Sequence, residues 1–544
     1  MMRRISPFRV AALGLLAGLS VVGAQQLRAL DSDKKTDKTS DSKDAAAPAA
    51  QADSTTEGTV TVDGQAIAYK AVAGTLTVGA TNPQDALLGL DGKLLPDSGE
   101  KAPDKPEDAA PTARIFYVAY FKKGAPSDTR PITFLYNGGP GSATMWLHMG
   151  CFGPRRVAPA DTEHEAGAPY KIGNNDSSLL DVSDLVFIDA PGTGFSRIFG
   201  KGKEDAFYGL DQDAHAFERF IRRFLTKYER WNSPKYLLGE SYGTPRSAVL
   251  SSDLQGVDLN GIILLSAILG FDNNIDGPTG NPGVDQPYAI GLPTYAATAW
   301  YHHKLPTQPV AFEPFLAEVE AYAMGEYMNA LLQGSELPEA RRQAVAAKLH
   351  EYTGLPVDYL LKSDLRVDGG EFRKTLQGAE GLTTGRLDAR YKGPDFDPLS
   401  QRAEYDPQDV AIAAAYTTAI NQNLRADLKY GENWTYKPGI DDERASWQWR
   451  KSWWGAQNVM PDLAQAMKSN PKMKILLAGG YFDLATPYYE GKFEMHHLPV
   501  PQSMQANISY KYYQAGHMIY VNDGILKQFH ADVAAFIKGT EAAK

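Results

Sequence analysis

The stretch "KYLLGESYGTPRSAVL", residues 235–250, has the strongest local pattern in the sequence. An apolar run ends at Gly239, Ser241 lies between an acid and a tyrosine, and Gly243 opens a segment that is compatible with a helix. Gly-x-Ser-x-Gly between a strand and a helix is the nucleophile-elbow pattern, in which the turn is strained and the two backbones approach closely. The pattern predicts that Ser241 lies on a sharp turn that exposes its hydroxyl. A purely structural glycine-rich turn is the alternative.

Short apolar runs recur on both sides of this stretch and alternate with helical patterns. The runs are "ITFLY", "LVFID", "KYLL", "GIILLSAILG" and "MKILLAGG". Aliphatic runs of this length are typical of strands that are buried on both faces of a parallel sheet. Between them, "DQDAHAFERFIRRFLTKYERW" places Phe217, Phe220, Ile221 and Phe224 on one helical stripe. The sequence therefore predicts an α/β architecture with a mostly parallel sheet flanked by helices.

The alternation breaks between residues 283 and 455. This segment contains helical runs such as "FEPFLAEVEAYAMGEYMNALL" and is rich in tyrosine and tryptophan. We expect a first core part at 58–282, a mainly helical lid insertion at 283–455 and a second core part at 456–544. Near the start of the first part, "TVTVDGQAIAY" alternates apolar and polar residues around Asp63-Gly64, which predicts a β-hairpin.

The N-terminus has the layout of an export signal. Arginines precede the apolar run "VAALGLLAGLSVVGA", which ends in small residues, so residues 1–24 are predicted to be a signal peptide. The run is too short for a comfortable membrane span, although an uncleaved signal anchor is the alternative. Residues 25–57 are mostly charged and small and predict a disordered leader. We expect an exported protein, periplasmic or extracellular, without stable membrane insertion after cleavage.

Composition excludes some classes of protein. The 544-residue chain has a formal net charge of −10 and no basic stripe, which argues against binding to nucleic acid. Cys151 is the only cysteine, so an intramolecular disulfide cannot form. A chain of this length does not need one, because a large core can supply the stability.

Two further polar residues follow later strands. "KILLAGGYFDLATPYYE" leads from an apolar strand into a loop with Asp483, and "SYKYYQAGHMIYVNDG" leads into a loop with His517. Serine, acid and histidine in this chain order are the order of the hydrolase triad. Each side chain follows a strand, so all three can converge at one edge of the sheet. The pattern predicts Ser241, Asp483 and His517 as catalytic residues.

An oxyanion hole needs two N–H donors. Under the elbow pattern Tyr242, directly after the serine, supplies one donor. "NGGPGS", residues 137–142, follows an earlier strand, where hydrolases place the second donor in a glycine-rich loop. Gly139 is the candidate for this donor.

Several motifs besides the nucleophile elbow occur in a recognisable order along the chain. "NGGPGS", "FIDAPGTGFS", "GESYG", the "FD" after "LLAGGY", and "AGHM" resemble, in their order, the serine carboxypeptidase family (peptidase family S10), with the cysteine-poor bacterial members closest. The resemblance covers roughly residues 110–280 and 455–535. It implies an α/β-hydrolase fold with a lid, no metal or other cofactor, and peptide substrates with a free C-terminus. It assigns Ser241 as the nucleophile, His517 as the base and Asp483 as the residue that orients the base.

The resemblance also implies a site for the terminal carboxylate of the substrate. Asn137, Gly138 and Glu240 are the implied substrate-binding residues. Glu240 would have to be protonated, because two carboxylates in hydrogen-bond contact do not both stay ionised cheaply. This implies peptidase activity that favours acidic pH.

Two positions depart from the family pattern. Leu135 stands where many members have tryptophan, and Cys151 stands where an "ELGP" segment has glutamate. Both positions belong to the network around the terminal carboxylate, so strict carboxypeptidase specificity is put in doubt. Arg155 or Arg156 could replace the missing contacts by pairing with the carboxylate, or both could be surface residues.

The sequence thus favours an exported serine carboxypeptidase. An esterase, acyltransferase or other exopeptidase on the same scaffold is the first alternative, motivated by Leu135 and Cys151. A non-catalytic binding protein with a hydrolase fold is the second. The oligomeric state is left open.

Overall fold

The structure is a computed structural model that describes residues 51–101, 103–440, 447–449 and 457–542. The predicted signal peptide at 1–24 and most of the predicted leader lie outside the described residues. In the described part of the chain, no helix has the length and apolar character that crossing a bilayer requires.

Strands in the described residues form one large sheet and two short ribbons. They are β1 Ser54–Val62, β2 Gln65–Gly79, β3 Thr112–Lys122, β4 Ile132–Tyr136, β5 Arg155–Val157, β6 Ile172–Asn174, β7 Asp184–Ile188, β8 Arg197–Phe199, β9 Lys235–Glu240, β10 Gly261–Leu265, β11 Leu382–Thr384, β12 Lys392–Pro394, β13 Lys474–Gly480 and β14 Ile508–Tyr513.

The large sheet has the order β1-β2-β3-β7-β4-β9-β10-β13-β14, with β8 paired to β3. The first four strands in this order pair antiparallel, and every pairing from β7 to β14 is parallel. The predicted runs "ITFLY", "LVFID" and "GIILL" are buried along their whole length. The mostly parallel sheet predicted from these runs is confirmed.

The β1–β2 hairpin starts earlier than the sequence indicates. Its turn lies at Asp63 and Gly64, both with positive φ, as the prediction requires. However, β1 begins at Ser54, inside the segment predicted as a disordered leader up to residue 57. Ser54–Gly58 lack large apolar side chains, but their backbone pairs with β2, and this pairing orders them without burial of apolar side chains.

The α-helices of the described residues are α1 Asn82–Ala86, α2 Lys203–Phe207, α3 Leu210–Lys227, α4 Gly243–Asp253, α5 Gln286–Tyr301, α6 Phe312–Tyr322, α7 Met328–Leu331, α8 Glu339–Thr353, α9 Val357–Lys362, α10 Gly369–Thr375, α11 Pro407–Gln422, α12 Met460–Ser469, α13 Tyr488–His496 and α14 Asp523–Ala542.

Helices cover both faces of the sheet. One hydrophobic core contains apolar residues of α3, α4 and α12, among them the predicted stripe Phe217, Phe220, Ile221 and Phe224. The core on the other face contains residues of α14 and α11. Strands β4, β7, β9 and β10 lie between these two layers, and because they pair in parallel, their carboxyl ends lie at the same edge of the sheet.

The insertion predicted at 283–455 contains helices α5 to α11 and the β11–β12 ribbon in its described part. Helices α5 to α10 contribute to a third hydrophobic core, whereas α11 belongs to the core that it shares with α14. Phe482, Leu484 and Tyr488 also belong to the third core, and they come from the segment directly after β13. The insertion therefore packs against the loop that carries Asp483.

A buried ionic cluster fixes the beginning of β7 and β4. Asp184 binds Arg130 with an Nε–Oδ1 distance of 2.7 Å and Arg230 with an Nη1–Oδ2 distance of 2.6 Å. All three side chains are nearly inaccessible to solvent. Removal of the carboxylate leaves Arg230 buried without its counter-charge, which is far more costly than loss of an exposed ion pair.

Asp184→Asn is therefore expected to lower the free energy of unfolding by about 3–5 kcal/mol. The matched control is Asp91→Asn, which removes an exposed pair with Lys93 and should cost less than about 1 kcal/mol. Urea unfolding followed by tryptophan fluorescence measures both. Equal losses in the two variants would contradict the role of the buried cluster.

Candidate active site

Ser241 occupies the turn between β9 and α4. Its backbone has a φ of 58°, a left-handed conformation that costs a non-glycine residue about 1–2 kcal/mol. Its N–H donates to Leu265 O at 2.9 Å, and its carbonyl accepts from the N–H of Thr244 at 2.8 Å. The adjacent strand β10 and the first turn of α4 thus hold the strained residue in place, as expected for the predicted sharp turn.

Glycines allow the backbones around this turn to approach closely. A Cβ at Gly239 would collide with the carbonyl of Gly243, which explains why the pattern needs glycine there. A Cβ at Gly138 would lie 2.7 Å from the carbonyl of Glu240 and even closer to the N–H of Tyr242. The "NGGPGS" loop therefore lies directly against the turn that carries Ser241.

Asp483 and His517 form a buried hydrogen-bonded pair. Asp483 Oδ2 lies 2.7 Å from His517 Nδ1 and also accepts from the hydroxyl of Thr486 at 2.8 Å. Asp483 Oδ1 accepts from the N–H groups of Ala485 and Thr486 at 2.8 and 3.0 Å. With Asp483 Oδ2 as the acceptor, the proton of the pair lies on Nδ1, so Nε2 keeps its lone pair when the imidazole is neutral.

The backbones of Ser241 and His517 are attached to consecutive residues. Ser241 N–H donates to Leu265 O, and the hydroxyl of Ser266 donates to the carbonyl of His517 at 2.7 Å. Ser266 lies at the carboxyl end of β10, between β9 and β13 in the sheet. The structure thus brings the three predicted catalytic residues to the same edge of the sheet.

The charges around His517 oppose the effect of burial. Burial by itself lowers the pKa of His517, but the charge and hydrogen bond of Asp483 and the charge of Glu240 raise it. The net pKa of His517 lies above its ordinary value, although Arg386 acts in the opposite direction. The imidazolium form is therefore stabilised in this site.

Glu240 lies under the turn and is hydrogen-bonded on two sides. Its Oε2 accepts from the hydroxyl of Tyr520 at 2.8 Å, and it also has a side-chain hydrogen bond with Asn137. Since Oδ1 of Asn137 accepts from the N–H of Leu147, its amide nitrogen is the donor to Glu240. Asn137, Gly138 and Glu240, predicted as one site, are therefore neighbours.

Burial raises the pKa of Glu240 to about 7. His517, the Tyr520 hydroxyl and Asn137 lower it, whereas the negative charge of Asp483 raises it further. Glu240 is thus half-protonated near neutral pH, and its protonated form dominates below it.

The two departures from the family pattern are both buried. Leu135 lies within β4, and the thiol of Cys151 is close enough to Glu240 for the charge of Glu240 to act on it. Burial, followed by that charge, raises the pKa of Cys151 well above its usual value, so the thiol is neutral. Tyr520, which the sequence analysis did not single out, supplies the hydroxyl that faces Glu240 instead.

Arg155 and Arg156 have different surroundings. Arg155 is partly exposed and lies 3.7 Å from Asp427. Arg156 is nearly buried; it pairs with Asp523 and donates to the carbonyl of Tyr520 at 3.0 Å. Arg156 therefore supports the residue that binds Glu240.

The "NGGPGS" loop is held by a charge pair that sequence reasoning also missed. Arg246 of α4 donates to the carbonyl of Asn137 at 2.7 Å and pairs with Asp213 of α3 at 2.6 Å. Both side chains are fully buried. An arginine in a helix normally faces solvent, so only its position five residues after Ser241 could have drawn attention to it.

Asp189 of "FIDAPGTGFS" supports the same loop from the other side. Its Oδ1 accepts from the N–H of Thr144 at 2.8 Å and from the hydroxyl of Tyr436 at 3.2 Å. Burial raises the pKa of Asp189 to about 6. The second motif of the sequence thus acts on the site through the residues that follow "NGGPGS".

A strained serine between strand and helix, and an acid and a histidine after later parallel strands, form the arrangement of the α/β-hydrolase fold. Similar solved structures are the prohormone-processing carboxypeptidase Kex1 from Saccharomyces cerevisiae (14% identity, 85% of this chain and 91% of that chain covered, TM-score 0.48) and proline iminopeptidase from Mycobacterium smegmatis (14%, 90% and 99%, 0.32). An esterase from Exiguobacterium antarcticum is also similar (10%, 78% and 96%, 0.32).

Residues 107–254 match the sequence model of a family described as serine carboxypeptidase. The matched segment contains "NGGPGS", "FIDAPGTGFS" and "GESYG". No match is found among curated proteins. The family match and the fold support a peptidase or other hydrolase role, and the predicted resemblance to the serine carboxypeptidase family is confirmed over residues 107–254.

Proposed function

We propose that this protein is an exported serine carboxypeptidase that hydrolyses the C-terminal peptide bond of peptides through an acyl-enzyme on Ser241. The observation that carries the proposal is the buried Asp483–His517 pair at the strand edge where Ser241 occupies its strained turn. A hydroxyl on such a turn, a histidine with a free Nε2 and an acid that orients it are the groups that acyl transfer requires.

In the proposed mechanism His517 Nε2 takes the proton of the Ser241 hydroxyl as Oγ attacks the scissile carbonyl. Asp483 keeps the Nδ1 proton in place and stabilises the imidazolium that forms. The raised pKa of His517 is consistent with this role, since it favours the protonated form generated in the step. The same proton then passes to the leaving amine, and the C-terminal amino acid departs.

The negative charge on the tetrahedral oxygen needs two N–H donors. Tyr242 precedes the first residue of α4, where N–H groups have no acceptor within the helix and the helix dipole favours negative charge. The "NGGPGS" loop contacts this N–H through Gly138, so Gly139 N–H is assigned as the second donor. Water activated by His517 then attacks the acyl-enzyme and releases the shortened peptide.

Recognition of the substrate's terminal carboxylate is assigned to Asn137, Gly138 and Glu240. A protonated Glu240 donates a hydrogen bond to a carboxylate, whereas an ionised Glu240 repels it. Its pKa near 7 supports binding below neutral pH. In this assignment the Tyr520 hydroxyl holds Glu240 in position. The glutamate of the family pattern cannot do so here, because Cys151 stands in its place.

An esterase, acyltransferase or other exopeptidase is the alternative that Leu135 and Cys151 favour. A buried neutral thiol beside Glu240 offers a weaker hydrogen bond than a carboxyl group. Such an enzyme would use the same Ser241, Asp483 and His517 without need for a charged terminus on its substrate. The insertion at 283–455, assigned as a lid, would then select the acyl group.

The free-acid and amide forms of one peptide separate these two functions. A carboxypeptidase should shorten the free acid stepwise from its C-terminus and act about 10- to 100-fold more slowly on the amide, which lacks the charge-assisted contact. The ladder of masses from the purified protein measures this, with Ser241→Ala as the inactive control. Equal rates on the free-acid and amide peptides would reject the carboxypeptidase function.

The pH dependence should differ between the two kinds of substrate. For a free-acid peptide, kcat/KM should fall above about pH 7, because Glu240 loses its proton there. For a blocked ester with a neutral end, kcat/KM should rise with pH as His517 becomes neutral and then stay level. A free-acid kcat/KM that increases steadily from pH 5 to pH 8 would contradict the role of Glu240.

Tyr520→Phe should move the alkaline limb of the kcat/KM profile for the free-acid peptide to higher pH. The hydroxyl lowers the pKa of Glu240, so its loss keeps Glu240 protonated at higher pH. Tyr510→Phe is the control, since the buried Tyr510 hydroxyl has no hydrogen-bond partner among the described residues. An unchanged limb in Tyr520→Phe would show that this hydroxyl does not set the protonation of Glu240.

A further inference from the structure

The loop of the β11–β12 ribbon reaches into the site. We name residues 385–391 the ribbon loop; it belongs to the insertion, far in sequence from both Asp483 and His517. The carbonyl of Arg386 accepts from the N–H of Leu484 at 3.0 Å, and the N–H of Ala389 donates to the carbonyl of Phe482 at 2.8 Å. These two hydrogen bonds bind the residues directly before and after Asp483.

The same ribbon loop also binds the histidine. The carbonyl of Leu387 accepts from the N–H of His517 at 2.6 Å. Next to it, a Cβ at Gly516 would collide with the backbone and side chain of Asp388, so the two backbones lie in direct contact. One short segment therefore contacts the acid-bearing loop after β13 and the histidine-bearing loop after β14.

Side chains fix the ribbon loop at its own two ends. At one end, Asp406 Oδ2 accepts from the N–H groups of Arg386 and Leu387 at 3.2 and 2.8 Å. At the other end, Arg390 pairs with the fully buried Asp388 at 2.6 Å and binds both oxygens of Asp161 at 2.9 and 3.1 Å.

Asp161 connects Arg390 to the segment directly before α14. Its Oδ2 accepts from the side-chain amide of Asn522 at 2.7 Å, and Asn522 lies directly before α14. Arg390 thus connects the insertion to the part of the chain that follows His517. A two-oxygen contact of this kind fixes orientation as well as distance, which a lysine at the same place does not do.

The proton transfer assigned to His517 depends on distances that this loop controls. The hydrogen bond between Asp483 and His517 joins the loops that follow the paired strands β13 and β14. Backbone hydrogen bonds from Tyr481 to Tyr513 and from Phe482 to Ala515 connect the two loops where they begin. The ribbon loop binds the backbone at Leu484 and at His517 itself, closer to the reacting side chains. A displacement of about 1 Å at a reacting group costs about 100-fold in rate.

We infer that the ribbon loop is a positioning segment of the active site, held by the contact of Arg390 with Asp161, and that it sets the geometry of the Asp483–His517 pair. The inference rests on the proposed acyl-transfer function. It makes the insertion part of the machinery that orients the base, in addition to any role as a lid.

Arg390→Lys tests the inference while it keeps the positive charge beside buried Asp388. The matched control is Arg366→Lys, because Arg366 binds both oxygens of Asp285 in the same manner, at 2.8 and 2.9 Å, elsewhere in the insertion. For each variant, kcat, KM and the pH dependence of kcat/KM are measured on a blocked ester, together with the thermal midpoint and the low-field proton resonance of His517 Nδ1.

In Arg390→Lys, kcat should fall about 10- to 100-fold with KM changed less than about twofold. The acid limb of the kcat/KM profile for the blocked ester should move to lower pH, because a weaker hydrogen bond to Asp483 lowers the pKa of His517. The charges of Glu240 and Arg386, which also act on His517, are unchanged in this variant. The low-field proton should shift upfield. Arg366→Lys should leave all of these unchanged.

A merely structural role predicts a different result. Both variants would then lower the thermal midpoint to a similar extent. The kcat per labelled active site and the acid limb of the kcat/KM profile would stay as in the natural sequence, and this outcome would overturn the inference. If Arg390→Lys does not fold, Asp161→Asn removes the same contact from the other side and is judged by the same criteria. A natural protein inactive on every ester and peptide rejects the proposed function instead, whereas the proton resonance still reports on the ribbon loop.

Discussion

One buried hydrogen bond, 2.7 Å long, between Asp483 and His517 underlies the arrangement of the site. Both side chains are almost fully excluded from water, so the carboxylate must be satisfied by protein donors. It is satisfied by two N–H groups, a hydroxyl and the imidazole. These donors hold the acid in one orientation, and the acid in turn fixes which nitrogen of His517 remains free.

The parallel sheet explains why distant residues meet here. Ser241, Asp483 and His517 each follow a strand of the parallel half. Leu265, the last residue of β10, binds Ser241, and the next residue, Ser266, binds His517. Around this edge lie further groups whose charge states are shifted by burial, above all Glu240. A cluster of shifted groups beside a strained backbone is typical of functional sites rather than of a stabilising core.

Local pattern was enough to predict the sheet, the turn at Ser241 and the candidates Asp483 and His517, because each lies within a few residues of an apolar run. It was not enough for Tyr520, Arg246 or the ribbon loop, whose contacts join segments far apart in sequence. A helical arginine such as Arg246 usually faces water, and only the folded structure shows that it is buried against Asn137. The strand from Ser54 was missed for a related reason: backbone pairing orders it without apolar side chains.

Covalent labelling of the folded protein by a fluorophosphonate, with the labelled residue mapped by tandem mass spectrometry, tests whether His517 activates Ser241. We expect a single adduct on the Ser241 hydroxyl, formed rapidly in the natural sequence and at least about 100-fold more slowly in His517→Ala, because the unassisted hydroxyl is a poor nucleophile. Labelling at another residue, or equal rates with and without His517, would contradict this activation.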